Sequence, residues 1–306
     1  MKILHVEDDN MDAHIIRTAL CEYNSYGAIE IIHVTSLKEA LKEIQQDCYQ
    51  AVILDLGLRD VDGIDNIKAI KEQNPDMPIV VLTSTDCDKV AMQAIDSGAQ
   101  EYLVKGHTDG KVMKLVLRSS IKRKALERRL FHQANYDSLT GLPNRSLLLE
   151  HLQKSLRVAQ RWQHEQALIF FDINKFKLIN DTYGHEAGNE ILVDIAHRLI
   201  DELRQTDIIT HYGGDEFVIL LDDKSDDKTK AALCVAKKIV DAINKPFILS
   251  SKHVACISVS IGIGIYPNDG ASVKELLCAA DAAMYRAKSQ APNSIFLFAD
   301  EKKISA

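Results

Sequence analysis

Glu7 and Asp8, Asp55, Thr83 and Lys105 each follow or end a short apolar run, at residues 3–6, 51–54, 79–82 and 102–104. Apolar runs of this length, bounded by polar residues, read as buried strands. Three carboxylates sharing one crevice repel one another unless a divalent cation sits among them. Mg²⁺ accepts all-oxygen ligands and keeps open positions for phosphate. Asp55 then becomes a nucleophile toward a phosphoryl group. Lys105 can neutralise the new phosphate, and the Thr83 hydroxyl can hydrogen-bond it. One acid after one strand usually only caps a loop, and for Asp8 alone that reading would hold. Five such positions together outweigh it.

A second acidic set lies further on. Gly213-Gly214-Asp215-Glu216-Phe217 separates apolar runs at 208–212 and 217–221, the pattern of a hairpin with a glycine-rich acidic turn. Glycines there let the backbone approach a ligand without Cβ clashes. Asp172 ends another run, 167–171, and is expected to face Asp215 across the sheet. Two carboxylates on adjacent strands suit two Mg²⁺ ions holding a triphosphate. Gly-Gly-Asp-Glu alone is a weak signal, because hairpin turns favour such residues anyway.

The elements that must position these groups follow from periodicity. A further apolar run at 29–34 brings the first part to five strands. Between them, Ile15, Ala19 and Leu20, then Leu37, Ala40, Leu41 and Ile44, recur at helical spacing. Strands alternating with helices predict a doubly wound, five-stranded parallel sheet, whose strand ends share one crevice. Residues 108–131 read as one long helix with an apolar stripe of Val112, Leu115, Val116, Leu126 and Leu130. Ser119 and Lys122-Arg123 interrupt that stripe, so a paired coiled coil and a solvated basic helix both stay open. Beyond Asn135, Ile191, Leu192, Ile195, Ala196, Leu199 and Leu203 mark a helix face. A helix over 229–243, a long strand over 255–265, a helix over 272–289 and a short strand over 295–298 complete a mixed α/β domain with a mainly antiparallel sheet. The expected division is 1–107, a linker helix 108–131, and 132–306.

Bulk properties exclude several classes. The 306 residues are 46% hydrophobic and 26% charged, ordinary for a globular chain. No apolar run approaches the ~20 residues of a membrane span. The first residues run straight from a short strand into acids, unlike a secretory signal, so a cytoplasmic location with no membrane partner is expected. Cys21, Cys48, Cys87, Cys234, Cys256 and Cys278 are scattered, with no C-x-x-C pair, and are expected to be reduced, half-buried packing residues. Residues 107–131 carry eight Lys/Arg against Asp109 and Glu127, a local +6 within a net −7, leaving −13 for the rest. One basic helix on an acidic protein, without a reading module, is a poor nucleic-acid partner.

Residues 1–106 resemble the receiver domain of two-component response regulators, through V-E-D-D, I-L-D-L-G-L, V-L-T-S and Y-L-V-K at the expected intervals. The resemblance implies phosphorylation of Asp55 by an upstream histidine kinase, with Glu7, Asp8 and the Gly57 carbonyl completing the metal shell. It gives Thr83 and Lys105 the phosphate-sensing roles and Tyr102 the switch aromatic. Residues 132–306 resemble the GGDEF family of diguanylate cyclases: N-Y-D-S-L-T-G-L-P-N-R (135–145), F-D-I-N-K-F-K-L-I-N-D-T-Y-G-H-E-A-G-N (171–189) and A-D-A-A-M-Y-R-A-K (280–288) match its motifs. That family has a palm-like fold and condenses two GTP into cyclic di-GMP across a homodimer. By motif match, Asp172, Asp215, Glu216 and the Ile173 carbonyl hold Mg²⁺. Asn180 and Asn189 meet guanine, Lys177 and Lys288 meet phosphates, and Gly213 and Gly214 shape the turn. Arg204 and Asp207 match the family's product-inhibition R-x-x-D.

Five positions depart from these patterns. Arg59 and Gly106 stand where the receiver family usually has proline, and a non-proline cis bond costs ~2.5–4 kcal/mol, so the loop after Lys105 is expected to be trans or shifted. Asn189 replaces a guanine-reading aspartate, Pro292 a triphosphate-holding arginine and His211 an arginine before the glycines. The expected function is a phosphorylation-regulated diguanylate cyclase. The alternatives are a catalytically weak sensor of cyclic di-GMP or GTP, and a DNA-binding regulator using the basic helix.

Overall fold

The computed structural model describes residues 1–22, 29–61, 63–84, 86–222 and 227–299. They fall into two compact units, residues 1–131 and 132–306.

In the first unit, β1 (Lys2–Val6), β2 (Glu30–Val34), β3 (Ala51–Leu54), β4 (Ile79–Thr83) and β5 (Glu101–Val104) form one sheet in the order β2-β1-β3-β4-β5. Every pairing is parallel. Helices α1 (Asn10–Glu22), α2 (Leu37–Gln46), α3 (Asp65–Gln73), α4 (Asp88–Asp96) and α5 (Gly110–Asn135) alternate with the strands. Leu4, Val6, Val52, Leu54, Ile79 and Val81 pack with residues of α2, α3 and α4. Ile3, Ala51, Ile53, Val80 and Leu82 pack with α1 and α5, through Ile16, Leu20, Met113 and Leu117. Burial of both faces is why these strands read as unbroken apolar runs.

Helix α5 begins two residues later than expected and runs four residues past Phe131. Its buried side is Gly110, Met113, Lys114, Leu117 and Ser120. Four of the five stripe residues, Val112, Leu115, Leu126 and Leu130, are exposed.

The second unit contains α6 (Arg145–Trp162), β6 (Gln166–Ile173), α7 (Phe176–Tyr183), α8 (His185–Glu202), β7 (Ile208–Gly213), β8 (Glu216–Leu220), α9 (Lys228–Ile243), β9 (Phe247–Ile248), β10 (Val254–Ala255), β11 (Val259–Tyr266), α10 (Val273–Lys288) and β12 (Ile295–Leu297). Its main sheet runs β12-β11-β6-β8-β7, antiparallel except for the β11–β12 pair. Helices α8 and α9 cover one face, with Phe171, Phe217, Ile261 and Ile263 beneath them. Helices α6 and α10 cover the other, over Leu168, Phe170, Val218 and Leu220. Gly262 is required by the close approach of α10: a Cβ there would sit 2.1 Å from the Ala280 carbonyl oxygen.

The run at 255–265, read as one strand, is two: β10 pairs with β9 in a separate hairpin, and β11 joins the main sheet. All six cysteines are free and exposed rather than half-buried, so none serves as core packing.

Candidate functional sites

The sheet order of the first unit reverses between β1 and β3, where a crevice opens at the strand ends. Glu7 leaves β1 and Asp55 leaves β3, and the Asp55 N–H is tied to the Val6 carbonyl at 3.0 Å. Carboxylate oxygens of Glu7, Asp8 and Asp55 all lie within 4.8 Å of one another. Convergence of three acids, two of them buried, is a donor set that fits Mg²⁺. Lys105 Nζ reaches Glu7 Oε2 at 2.6 Å, Asp55 Oδ2 at 2.7 Å and Asp12 Oδ2 at 2.9 Å. Burial alone would lower the Lys105 pKa, but hydrogen bonds to Asp55, Glu7 and Asp12 carry it above the ordinary lysine value. Burial raises Glu7, opposed by the Lys105 hydrogen bond and reinforced by the charge of Asp55.

Thr83 is buried at the end of β4, and its carbonyl accepts from the Lys105 N–H at 2.8 Å. The Gly57 N–H donates to Asp55 Oδ1 at 3.2 Å. Tyr102 is half-buried on β5, and burial pushes its phenol pKa up. The Lys105–Gly106 peptide is trans, with Gly106 at φ +79°. Arg59 pairs with Asp8 at 2.8 Å, so the residue standing in place of proline supplies a cation to the acidic crevice. No sequence motif marks Asp12 as part of this cluster. Its position in the first turn of α1, one helical turn beyond the acids, was the available signal.

In the second unit, Asp172 near the end of β6 is opposite Glu216 on β8, not opposite Asp215 as expected. Asp215 sits in the turn instead, its carbonyl accepting from the Ile173 N–H at 3.1 Å. The turn is possible because Gly213 and Gly214 take φ +146° and +61°. A cavity of about 570 Å³ is lined by Asp172, Ile173, Asp215, Lys175, Lys177, Lys288 and Pro292, with Asn174, Ser258, Ser260 and Gln290 beside them. Lys288 Nζ lies 2.7 Å from Asp172 Oδ2. Burial, opposed by Lys288 and reinforced by the charges of Asp215 and Glu216, holds the Asp172 pKa at about 6. Burial and then the charges of Asp281 and Asp215 also raise Glu216. Crowded oxygen donors of this kind fit a divalent cation, although among the described residues only Glu7, Asp8 and Asp55 converge as a tight carboxylate triad.

The remaining sequence-predicted residues divide. Lys177 and Lys288 line the cavity; Asn180 and Asn189 do not. Asn180 is half-buried on α7 and crowds Gly188, where a Cβ would lie 1.9 Å from its Oδ1. Asn189 is exposed on α8. Arg204 and Asp207 line a separate pocket of about 130 Å³ with Leu221, Cys234 and Lys238. The Asp207 carboxylate accepts from the backbone N–H groups of Arg204 and Asp222 at 3.2 and 3.1 Å. Burial nevertheless raises its pKa.

The motif at 135–145 acts as a brace. Asp137 Oδ1 accepts from the Thr140 N–H and hydroxyl, both at 2.8 Å, and Asn144 caps α6. His211 Nε2 meets the Gly214 carbonyl oxygen at 3.0 Å, and its Nδ1 makes an off-axis electrostatic contact with Asp137 Oδ1 at 2.9 Å. The histidine standing in place of arginine therefore links the brace to the acidic turn.

The family description "Diguanylate cyclase, GGDEF domain" matches residues 134–294, and "Response regulator receiver domain" matches residues 3–117. The chain belongs to the GGDEF family and carries a receiver domain. Diguanylate cyclase TpbB of Pseudomonas aeruginosa is 41% identical over 165 residues, 54% of this chain and 38% of TpbB. Response regulator PleD of Caulobacter vibrioides is 28% identical over 255 residues, 80% of this chain and 55% of PleD. The chain thus spans well under two thirds of either relative. A solved structure of the TpbB GGDEF domain alone, 38% identical, superposes with a TM-score of 0.52 over 56% of this chain and 99% of that one. Among the described residues, no helix is long and apolar enough to cross a membrane.

Proposed function

We propose that this chain is a receiver-controlled diguanylate cyclase. It condenses two GTP into cyclic di-GMP and releases two pyrophosphates. The observation that carries the reading is the cavity of about 570 Å³, where two acids and three lysines meet in a GGDEF domain. Asp172, Asp215 and Glu216, with the Ile173 carbonyl, would hold Mg²⁺. When bound, that metal supplies charge neutralisation at the phosphates. Lys177 and Lys288 bind the phosphate chain, and Asn180 and Asn189 meet the guanine from α7 and α8.

Each domain binds one nucleotide, so two chains must face each other. Each 3′-oxygen then bonds to the partner nucleotide's α-phosphorus, the bond to the pyrophosphate oxygen breaks, and the hydroxyl proton passes to solvent. Positioning and electrostatics carry this chemistry, with no covalent enzyme intermediate. Phosphorylation of Asp55 by a histidine kinase, with Glu7, Asp8 and the Gly57 carbonyl around Mg²⁺, controls the output. Thr83, Lys105 and Tyr102 report the phosphate. Arg204 and Asp207 bind product as an inhibitor.

A second reading, a weakly catalytic sensor working through Arg204 and Asp207, is favoured by Pro292, which lines the cavity without a donor. Incubation with Mg-GTP, with and without a small acyl-phosphate donor, separates the two. The cyclase reading expects a cyclic dinucleotide whose rate of formation changes with the donor. Unconsumed GTP alongside tight cyclic di-GMP binding would favour the sensor.

A further inference from the structure

Asn174, Ser258 and Ser260 line the cavity but carry none of the roles given above. Asn174 follows β6 directly, and its N–H is tied to the Ser258 carbonyl at 2.8 Å. Its side chain bridges the two serines. Asn174 Oδ1 accepts from the Ser260 hydroxyl at 2.7 Å, and Asn174 Nδ2 donates to Ser258 Oγ at 3.0 Å. Ser260 is 1% exposed and stands opposite Asp172 in the β6–β11 register, so this network is anchored beside the buried acid.

Hydrogen counting gives the two serines different chemistry. A hydroxyl has one hydrogen to donate and two lone pairs to accept with. Ser260 spends its hydrogen on Asn174. Ser258 receives a hydrogen from Asn174, so its own remains to be donated. Ser258 is half-buried and faces the same cavity as Lys175, Lys177 and Lys288, whose charges draw in a polyanion. On the same wall, Pro292 has no side-chain donor and no N–H.

We propose that Ser258 is a phosphate-binding residue, its hydroxyl aimed at the triphosphate of the nucleotide by Asn174, and that it supplies part of the donor capacity missing at Pro292. This rests on the cavity being the GTP site. Asn174 is then a positioning residue, acting on substrate only through Ser258.

The test is equilibrium binding of 3′-deoxy-GTP in Mg²⁺, a nucleotide without the attacking hydroxyl, so that affinity is read without turnover. Ser258→Ala removes a hydrogen bond to a charged group and should weaken binding about tenfold or more. Ser258→Thr keeps the hydroxyl and should stay within about threefold of the unmodified protein. Affinity for 3′-deoxyguanosine, which has no phosphate, should be the same for all three proteins. Equal 3′-deoxy-GTP affinity for the alanine variant and the unmodified protein would overturn the Ser258 assignment alone. An equal loss for 3′-deoxyguanosine would also overturn it, by revealing a structural role. Failure of the unmodified protein to bind 3′-deoxy-GTP would overturn the assignment together with the cyclase reading beneath it.

Discussion

Lys288 Nζ lies 2.7 Å from Asp172 Oδ2, joining the last turn of α10 to the end of β6. Even with this partner, burial keeps the Asp172 pKa near 6, above the unfolded value of 3.8. A carboxyl raised on folding contributes stability that is complete below the unfolded value and is lost as pH rises through the folded one. The metal-free protein should therefore lose on the order of 2 kcal/mol from this group between about pH 4 and pH 7. Asp172→Asn removes that loss. In chelator, the variant should melt above the unmodified protein at pH 8, with the gap closing near pH 4. Parallel melting curves across this range would contradict the electrostatic assignment.

Asp55 is the one carboxylate of the receiver crevice that leaves β3, and Lys105 stands 2.7 Å away, ready to pair with a phosphoryl group. Asp55→Asn should abolish labelling by a small acyl-phosphate donor while the receiver unit stays folded. Label retained at an unmodified level would remove Asp55 as the acceptor.

How legible these sites were depended on how each element is buried. β1 and β3 are covered on both faces, so their apolar runs stand out and the acids after them are placed at strand ends. The acidic hairpin is visible because its two glycines interrupt apolar runs. The register was not visible: the pairing of Asp172 with Glu216 rather than Asp215 depends on how long the turn is. Helix α5 has one face buried in its own unit and an exposed apolar stripe beside it, and periodicity alone does not tell these apart. The break between β10 and β11 is equally silent, because β propensity continues through Cys256–Ser258 while the pairing partner changes. Asn174 and Ser258 carry no sequence signal, because what links them is a hydrogen bond across 84 residues of chain.

Pro292 lines the cavity whereas Asn189 is exposed on α8, so substitutions there act on different steps. Pro292→Arg adds a charged donor near the phosphates and should lower the KM for GTP about tenfold. Asn189→Asp offers a second acceptor to guanine and should widen the preference for GTP over ATP by a comparable factor. Steady-state kinetics with both nucleotides checks each. No change in either quantity would mean that these positions do not meet the nucleotide in the expected way.

Asp215 occupies the glycine-rich turn, where its carbonyl accepts from the Ile173 N–H, and it lines the cavity. It is not among the buried residues, and the role proposed for it is as a metal ligand in the reaction. The most direct measurement is therefore product formation from Mg-GTP by the unmodified protein and by Asp215→Ala at equal concentration, followed by chromatography. Cyclic di-GMP is expected from the first and about a hundredfold less from the second, with the two proteins melting at closely similar temperatures. Comparable product from both would contradict the proposed function, and so would the absence of product from the unmodified protein with and without phosphorylation.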